Sequence, residues 1–224
     1  MKLTLSTVYI VLFAMILTSC KKQEVELTPL ASLMITNAIN GGGNLVFGTN
    51  ASPVYNNYFQ AYGMLTGSRE VKLVDTAGGI NKVYYDQTKD FVNGGVYSLF
   101  LGGTSDAVES VFLKEENIPS HTNNVFGARV VNLVKDGVPI SVNLQGNTTG
   151  SLISSVAYKA ISSFKDVSAL DSEGDKVFEF RNAATGDLIT SFTVPSYDLP
   201  RFRNITLVFA GGVGAETIIR ANNY

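Results

Sequence analysis

Tyr97-Ser98-Leu99-Phe100-Leu101-Gly102-Gly103 and Ile205-Thr206-Leu207-Val208-Phe209-Ala210-Gly211-Gly212 carry apolar side chains at consecutive positions and then stop at small residues ending in paired glycines. Successive side chains of a strand point to opposite faces, so a run that is apolar on nearly both faces, interrupted only by Ser98 and Thr206, is covered on both. The pattern predicts two central strands, each turning tightly through its glycines into a last strand over 110–114 and 217–221. Other stretches alternate instead. In Arg69-Glu70-Val71-Lys72-Leu73-Val74-Asp75 the apolar Val71 and Leu73 share one face, with Glu70 and Lys72 on the other. Lys176-Val177-Phe178-Glu179-Phe180-Arg181 likewise turns Phe178 and Phe180 inward and Glu179 and Arg181 outward. Strands of period two cover one side of a sandwich core, and no long stretch shows a helical period, so the chain is expected to be all-β.

Matching pieces recur along the chain. Leu33-Met34-Ile35-Thr36-Asn37 answers Val130-Val131-Asn132, and Leu99-Phe100-Leu101-Gly102-Gly103 answers Val208-Phe209-Ala210-Gly211-Gly212. The offset is 95 at the first pair (132 minus 37) and 109 at the last (212 minus 103), so the second copy is longer by 14, with most of the excess expected as a loop over 160–174. Ile118-Pro119-Ser120-His121-Thr122-Asn123-Asn124 is polar and Pro-bearing and marks the junction. The organisation expected is a first β-sandwich over 31–119, a linker over 120–127 and a second β-sandwich over 128–224. Each has about seven strand candidates in roughly 90 to 100 residues, the dimensions of an immunoglobulin-like sandwich. The fold class is therefore two tandem immunoglobulin-like antiparallel β-sandwiches. With one Cys and no Trp, the disulfide and buried Trp of antibody domains are absent, so the likeness is one of architecture.

The amino terminus has a different build. Met1 and Lys2 lead into an apolar run over 8–17 that stops at Thr18 and meets Lys21 and Lys22. A membrane-spanning helix needs about 20 apolar residues, so a short secretory segment is the expectation. Leu17-Thr18-Ser19-Cys20 resembles the bacterial lipobox, in which an aliphatic and two small residues precede the Cys that receives a diacylglycerol. Residues 1–19 are expected as a lipoprotein signal peptide, Cys20 as the lipidation site, and 20–30 as a polar tether ahead of the first sandwich. Glu24 and Glu26 resemble the acidic surface-export signals of Bacteroidota lipoproteins, from which Lys21 and Lys22 depart. Attachment to the outer membrane is expected, and either face is compatible.

Further residues carry a family likeness. The lipobox Cys20, the run from Ala31 to Asn37, the Gly-Gly after Leu101, the segment Lys114-Glu115-Glu116-Asn117-Ile118-Pro119 and the restart at Ala128-Arg129-Val130-Val131-Asn132 resemble Bacteroidota envelope lipoproteins carrying the domain of unknown function four-three-nine-seven. The resemblance covers Ala31 to the C-terminus and departs from the commoner pattern at Ala38-Ile39-Asn40-Gly41-Gly42-Gly43, where a Ser/Pro/Asp-rich turn is usual. It implies an envelope β domain and brings no catalytic motif.

Composition narrows the chemistry. A formal charge of -2 with no basic block offers no footprint for nucleic acid. One Cys and one His exclude Cys/His metal sites and disulfide frameworks by counting. Gly41-Gly42-Gly43 and Gly211-Gly212-Val213-Gly214 link strands and lack the helix and Lys of a phosphate loop. Asp171-Ser172-Glu173-Gly174-Asp175 could gather calcium oxygens, but its Gly stands fourth where an EF-hand loop needs it sixth; a solvated turn is the expectation. Asp86 with Asp90 and Glu115 with Glu116 are expected as exposed charges, and His121 as an exposed linker residue. Tyr55, Tyr58, Phe59 and Tyr62, and then Tyr84 and Tyr85, form aromatic groups that serve packing or, if exposed, sugar stacking. Asp75-Thr76-Ala77 resembles the O-glycosylation signal of exported Bacteroidota proteins, which makes Thr76 a modification candidate.

The functional expectation is a non-catalytic, lipid-anchored envelope protein without cofactor or metal, whose loops or interdomain groove bind a glycan or an envelope protein. A fimbrillin-like adhesion subunit is the first alternative, weakened because the first Arg, Arg69, falls inside a strand where no trimming protease would reach it. A hydrolase using carboxylates at the domain junction is the second.

Overall fold

The structure is a computed structural model that describes residues 28–49, 52–77 and 81–223. The expectations for residues 1–19, for Cys20 and for most of the tether lie outside the described residues. The first half contributes strands β1 (Leu30–Asn37), β2 (Leu45–Phe47), β3 (Tyr58–Leu65), β4 (Gly67–Asp75), β5 (Lys82–Phe91), β6 (Val96–Thr104) and β7 (Ala107–Lys114). The second contributes β8 (Val125–Asn132), β9 (Ile140–Leu144), β10 (Ile153–Val156), β11 (Lys165–Ser168), β12 (Lys176–Asn182), β13 (Leu188–Val194), β14 (Asn204–Gly212) and β15 (Ala215–Asn223).

The chain is an all-β protein of two sandwiches. Sheets β3-β1-β6-β7 and β2-β4-β5 build the first, and sheets β11-β8-β14-β15 and β10-β9-β12-β13 the second. Strand for strand the two topologies agree, β10 being the addition. The named strand ladders are antiparallel except two. β1 runs parallel to β6 and β8 parallel to β14, each first strand lying between the third of the shared topology and the penultimate one. Parallel neighbours require a long crossover, and here the rest of the sandwich is the crossover.

The pairing registers correct the spacing of the repeat. Asn37 opposes Leu101 and Asn132 opposes Phe209, so Leu101 corresponds to Phe209 at an offset of 108 (209 minus 101), one less than the glycine pairs suggest. Gly103 then corresponds to Gly211, and both hold left-handed backbone, φ 77° and 99°, at the β6–β7 and β14–β15 turns. Tyr62 opposes Leu33 where Lys165 opposes Ala128, an offset of 103 (165 minus 62). Eight of the thirteen extra residues therefore precede Lys165, where β10 is inserted, and the excess is not mainly a loop over 160–174. The expected linker is also shorter, because residues 125–127 already belong to β8 and pair with Val167, Ser168 and Asp166.

Three apolar clusters hold the layers together. Leu33, Ile35, Leu45, Leu73 and Leu99 fill the first sandwich; Val130, Val142, Phe178, Phe180 and Leu207 fill the second. The third joins them: Met34, Ala38 and Phe100 pack with Val131, Leu133, Val208, Ala210, Ile219 and Ala221. Sheet β3-β1-β6-β7 thus lies back to back with sheet β11-β8-β14-β15, giving four stacked layers. This is the physical reason that β6 and β14 are apolar on both faces. Leu99 and Leu207 enter their own cores, while Phe100 and Val208 enter the seam. Gly102 lets the sheets approach, since a Cβ on it would stand 2.9 Å from the Cβ of Leu133.

Candidate functional site

A cleft of about 530 Å³ opens at one end of the second sandwich, between the β13–β14 connection and β15. The connection is Pro195-Ser196-Tyr197-Asp198-Leu199-Pro200-Arg201-Phe202-Arg203, and its shape follows from its residues. Pro195 closes β13 and accepts the N–H of Asp198 at 2.9 Å, making a single tight turn over Ser196–Asp198. Ser196 N–H donates to the Asp175 carboxylate at 2.8 Å, which ties the turn to the start of β12. Phe202 is left-handed, φ 60°, where the corresponding position of the first sandwich is Gly94, φ 71°. Both N–H groups reach back to the first strand, Gly94 to Leu30 O and Phe202 to Val125 O.

The charges in the cleft are unequal. Arg220 on β15 is 15% exposed and braced: Nη1 donates to Asp198 Oδ2 at 2.6 Å and Nε to Asn222 Oδ1 at 3.0 Å. Arg201 pairs with Asp171 and donates Nε to Ala169 O at 3.1 Å. Its partner carboxylate holds the Arg201 guanidinium even more firmly protonated than usual. The guanidinium of Arg203, also lining the cleft, makes no hydrogen bond or ion pair among the described residues. Among the described residues two ion pairs cancel, and one cation is left over. Tyr197 stands at the same margin with 90% of its surface exposed, the most exposed large apolar side chain described.

The junction between the sandwiches carries a second concavity, of about 380 Å³, where Glu115, Glu116, Arg129, Ile161 and Phe164 meet. Its buried charges are spent on each other, while Lys114 and Glu116 stand exposed at its rim with opposite signs. Arg129 grips Glu115 in a bidentate ion pair, donates Nε to Thr206 Oγ1 at 2.9 Å and lies 4.5 Å from the centroid of the Phe164 ring. Glu115 also accepts from Ser98 Oγ at 2.5 Å, and its side chain is 3% exposed. Glu115 is therefore a buried fastener between the sandwiches, contrary to the exposed loop charge expected, while Glu116 is exposed.

His121 also departs from expectation. Its side chain is 4% exposed, with Nε2 2.9 Å from Asn204 Oδ1 and Nδ1 3.6 Å from Asp166. Asn204 donates its amide to Pro119 O at 2.9 Å, so the start of β14 clamps the connecting segment and covers the imidazole. The acidic run over 171–175 does not converge: Asp171 turns to Arg201, Glu173 to Lys176 and Asp175 to Ser196 N–H. Among the described residues no group of three or more His, Cys, Asp or Glu could hold a metal ion. Asp86 pairs with Lys72 at 2.8 Å and Asp90 accepts from Ser68, both at the surface.

The aromatic groups divide. Tyr62 and Tyr85 are buried and Tyr84 is half-buried; Tyr55 and Tyr58 are exposed, the latter stacked on Phe59 at 5.0 Å. Thr76 is exposed just after β4, whereas Asp75 is buried, accepting from Gly43 N–H at 3.0 Å and Ala77 N–H at 2.8 Å. Sequence reasoning missed Tyr197, Arg201, Arg203 and Arg220. The available signal was a Tyr between two prolines, outside any alternating run, followed by two arginines.

No protein-family model matches this chain, and no curated protein is significantly similar to it. Among the described residues, no helix is long and apolar enough to cross a membrane.

Proposed function

We propose that this protein is a non-catalytic binding lipoprotein of the cell envelope, allied to the Bacteroidota lipoproteins that carry domain four-three-nine-seven. Cys20 bears the lipid after removal of residues 1–19, and residues 20–30 hold the double sandwich away from the outer membrane. The recognition site is the cleft between Pro195 and Asn204, completed by β15. The observation that carries this reading is the guanidinium of Arg203, without an ion-pair partner among the described residues, beside the exposed ring of Tyr197. Arg supplies charge and direction, Tyr supplies apolar area at small conformational cost, and both are enriched among the residues that carry binding energy.

The test uses envelope material divided into polysaccharide and protein fractions, each immobilised and exposed to the parent protein and to Arg203→Glu. The proposal expects one fraction to retain the parent and lose the variant at least tenfold. Equal retention of the two proteins on every fraction would remove the cleft as the recognition site.

A further inference from the structure

We infer that the cleft binds a carboxylated polysaccharide segment, with a sugar carboxylate on Arg203 and a pyranose face on Tyr197; this deepens the binding role proposed above and rests on it. The charge argument comes first. Of the charged groups lining the cleft among the described residues, Arg201 is matched by Asp171 and Arg220 by Asp198, so the attraction left over is that of one guanidinium. A guanidinium presents a planar fork that meets a carboxylate with two parallel hydrogen bonds. One free fork matches the single charge of a carboxylate, whereas a phosphomonoester, which a fork also meets with two hydrogen bonds, brings about two charges against that one cation.

The second argument is the ring. Tyr197 is 90% exposed, and the rest of the site offers polar partners, Ser196 and Asn222 among them. An isolated ring on a polar floor suits a ligand with one apolar face and many hydroxyls, and a pyranose is such a ligand. A lipophilic small molecule would need walls that are mostly apolar. The volume of about 530 Å³ falls within the range of small-molecule sites, about 300–1,000 Å³, yet the cleft is open, which admits a segment of a longer chain.

The third argument is rigidity. Tyr197 lies between Pro195 and the buried Pro200, and Arg220 is fixed by Asp198 and Asn222. The backbone that carries Tyr197 and the Arg220 wall are thus held in place before binding and lose little freedom, while the Arg203 side chain is ordered by its ligand. The other concavities lack this combination. The groove at the sandwich junction has its ion pair closed on itself, and the groove by Val46, Val74 and Val83 offers a single cation, Lys72, already paired with Asp86. The protein as a whole is acidic, formally -2, so general attraction to polyanions does not account for retention of one.

Calorimetric titration of the mature, lipidated protein in detergent with defined probes tests the inference. Trigalacturonate and a sialylated trisaccharide represent two sources of carboxylated sugar; maltotriose lacks the carboxylate and triglutamate lacks the sugar ring. Binding of either carboxylated sugar at least tenfold tighter than both controls is expected. Arg203→Ala is expected to lose about tenfold and Arg203→Lys less, because an ammonium keeps the charge without the fork. Tyr197→Ala is expected to lose about fivefold and Tyr197→Phe to bind as the parent does. Both residues are exposed, and unchanged thermal unfolding of each variant shows that the fold is intact. Triglutamate binding as tightly as trigalacturonate would overturn the inference while leaving a binding role for the cleft. Failure of every probe, with Arg203→Glu still retained normally on envelope fractions, would overturn both.

Discussion

Arg129 of β8 and Glu115, just beyond β7, form a bidentate ion pair that fastens one sandwich to the other, with side chains 5% and 3% exposed. The position in the first sandwich that corresponds to Arg129 is Met34, 95 residues earlier, whose sulfur lies 3.9 Å from Asn223 Nδ2 in the same seam. One repeat thus meets the seam with an apolar side chain where the other uses a buried charge. Removing one partner of such a pair strands the other and costs about 3–5 kcal/mol, whereas replacing both by apolar residues is often neutral. Glu115→Leu and Arg129→Met are each expected to lower the urea midpoint sharply, and the double variant to recover most of the loss. Additive losses would show that the pair acts by something other than mutual compensation.

The close approach at Gly102 gives a second expectation. Gly102→Ala pushes a methyl against Leu133 and should cost about 1–3 kcal/mol. Leu133→Ala leaves a cavity in the seam and should cost about 2–5 kcal/mol. Leu133→Ala removes the Cδ1 and Cγ that would stand 3.1 and 3.4 Å from the added methyl but keeps the Cβ at 2.9 Å, so the relief is partial and the double variant is expected to be more stable than the sum by about 0.5 kcal/mol. Chemical denaturation of the four proteins measures this coupling, and a value of zero would mean that the two sheets do not press on each other there.

Alkaline pH supplies a third. Burial pushes the phenols of Tyr62 and Tyr85 up to about 12 from an ordinary 10.0. The unfolded chain therefore releases these protons first. The stability they represent is complete below pH 10 and is lost as pH climbs from 10 towards 12, on the order of 2 kcal/mol for each ring. Tyr62→Phe gives up the hydrogen bond from its hydroxyl to Ser52 O at neutral pH, yet should flatten the alkaline limb. Melting curves collected between pH 8 and 11.5 test the slope; identical slopes for parent and variant would contradict the burial argument.

Much of the fold was legible because strand periodicity is local. The alternation of Val71 with Leu73 and of Phe178 with Phe180 placed each pair in its core, as the structure has it. Asn37 and Asn132 exposed the repeat for a reason now visible: each is buried, accepts an N–H two residues on and donates to a carbonyl across its loop. The same role demands the same residue. Pairing partners are not local, so the parallel ladders of β1 with β6 and β8 with β14 left no mark on periodicity. Strand β10 escaped because Ile153-Ser154-Ser155-Val156 has only two apolar residues, too few to show a period.

Exposure is the other property that sequence hides. His121 sits in a polar, Pro-bearing stretch and is nonetheless covered, because Asn204 and Asp166 arrive from distant strands. Tyr197 has the opposite history: an aromatic among 10 Tyr and 13 Phe has no local feature that separates a core ring from a bare one. Whether an arginine is spent on a neighbouring carboxylate, as Arg201 and Arg220 are and, among the described residues, Arg203 is not, depends equally on the folded arrangement.

The proposed presentation of the cleft at the cell envelope requires a lipid at Cys20, and mass spectrometry of the N-terminal peptide of protein isolated from membranes tests for it. The expected peptide begins at Cys20 and carries a diacylglycerol, with residues 1–19 gone, and a Cys20→Ser variant is expected to leave the detergent phase. An unmodified Cys20 in a chain that still begins at Met1 would contradict it.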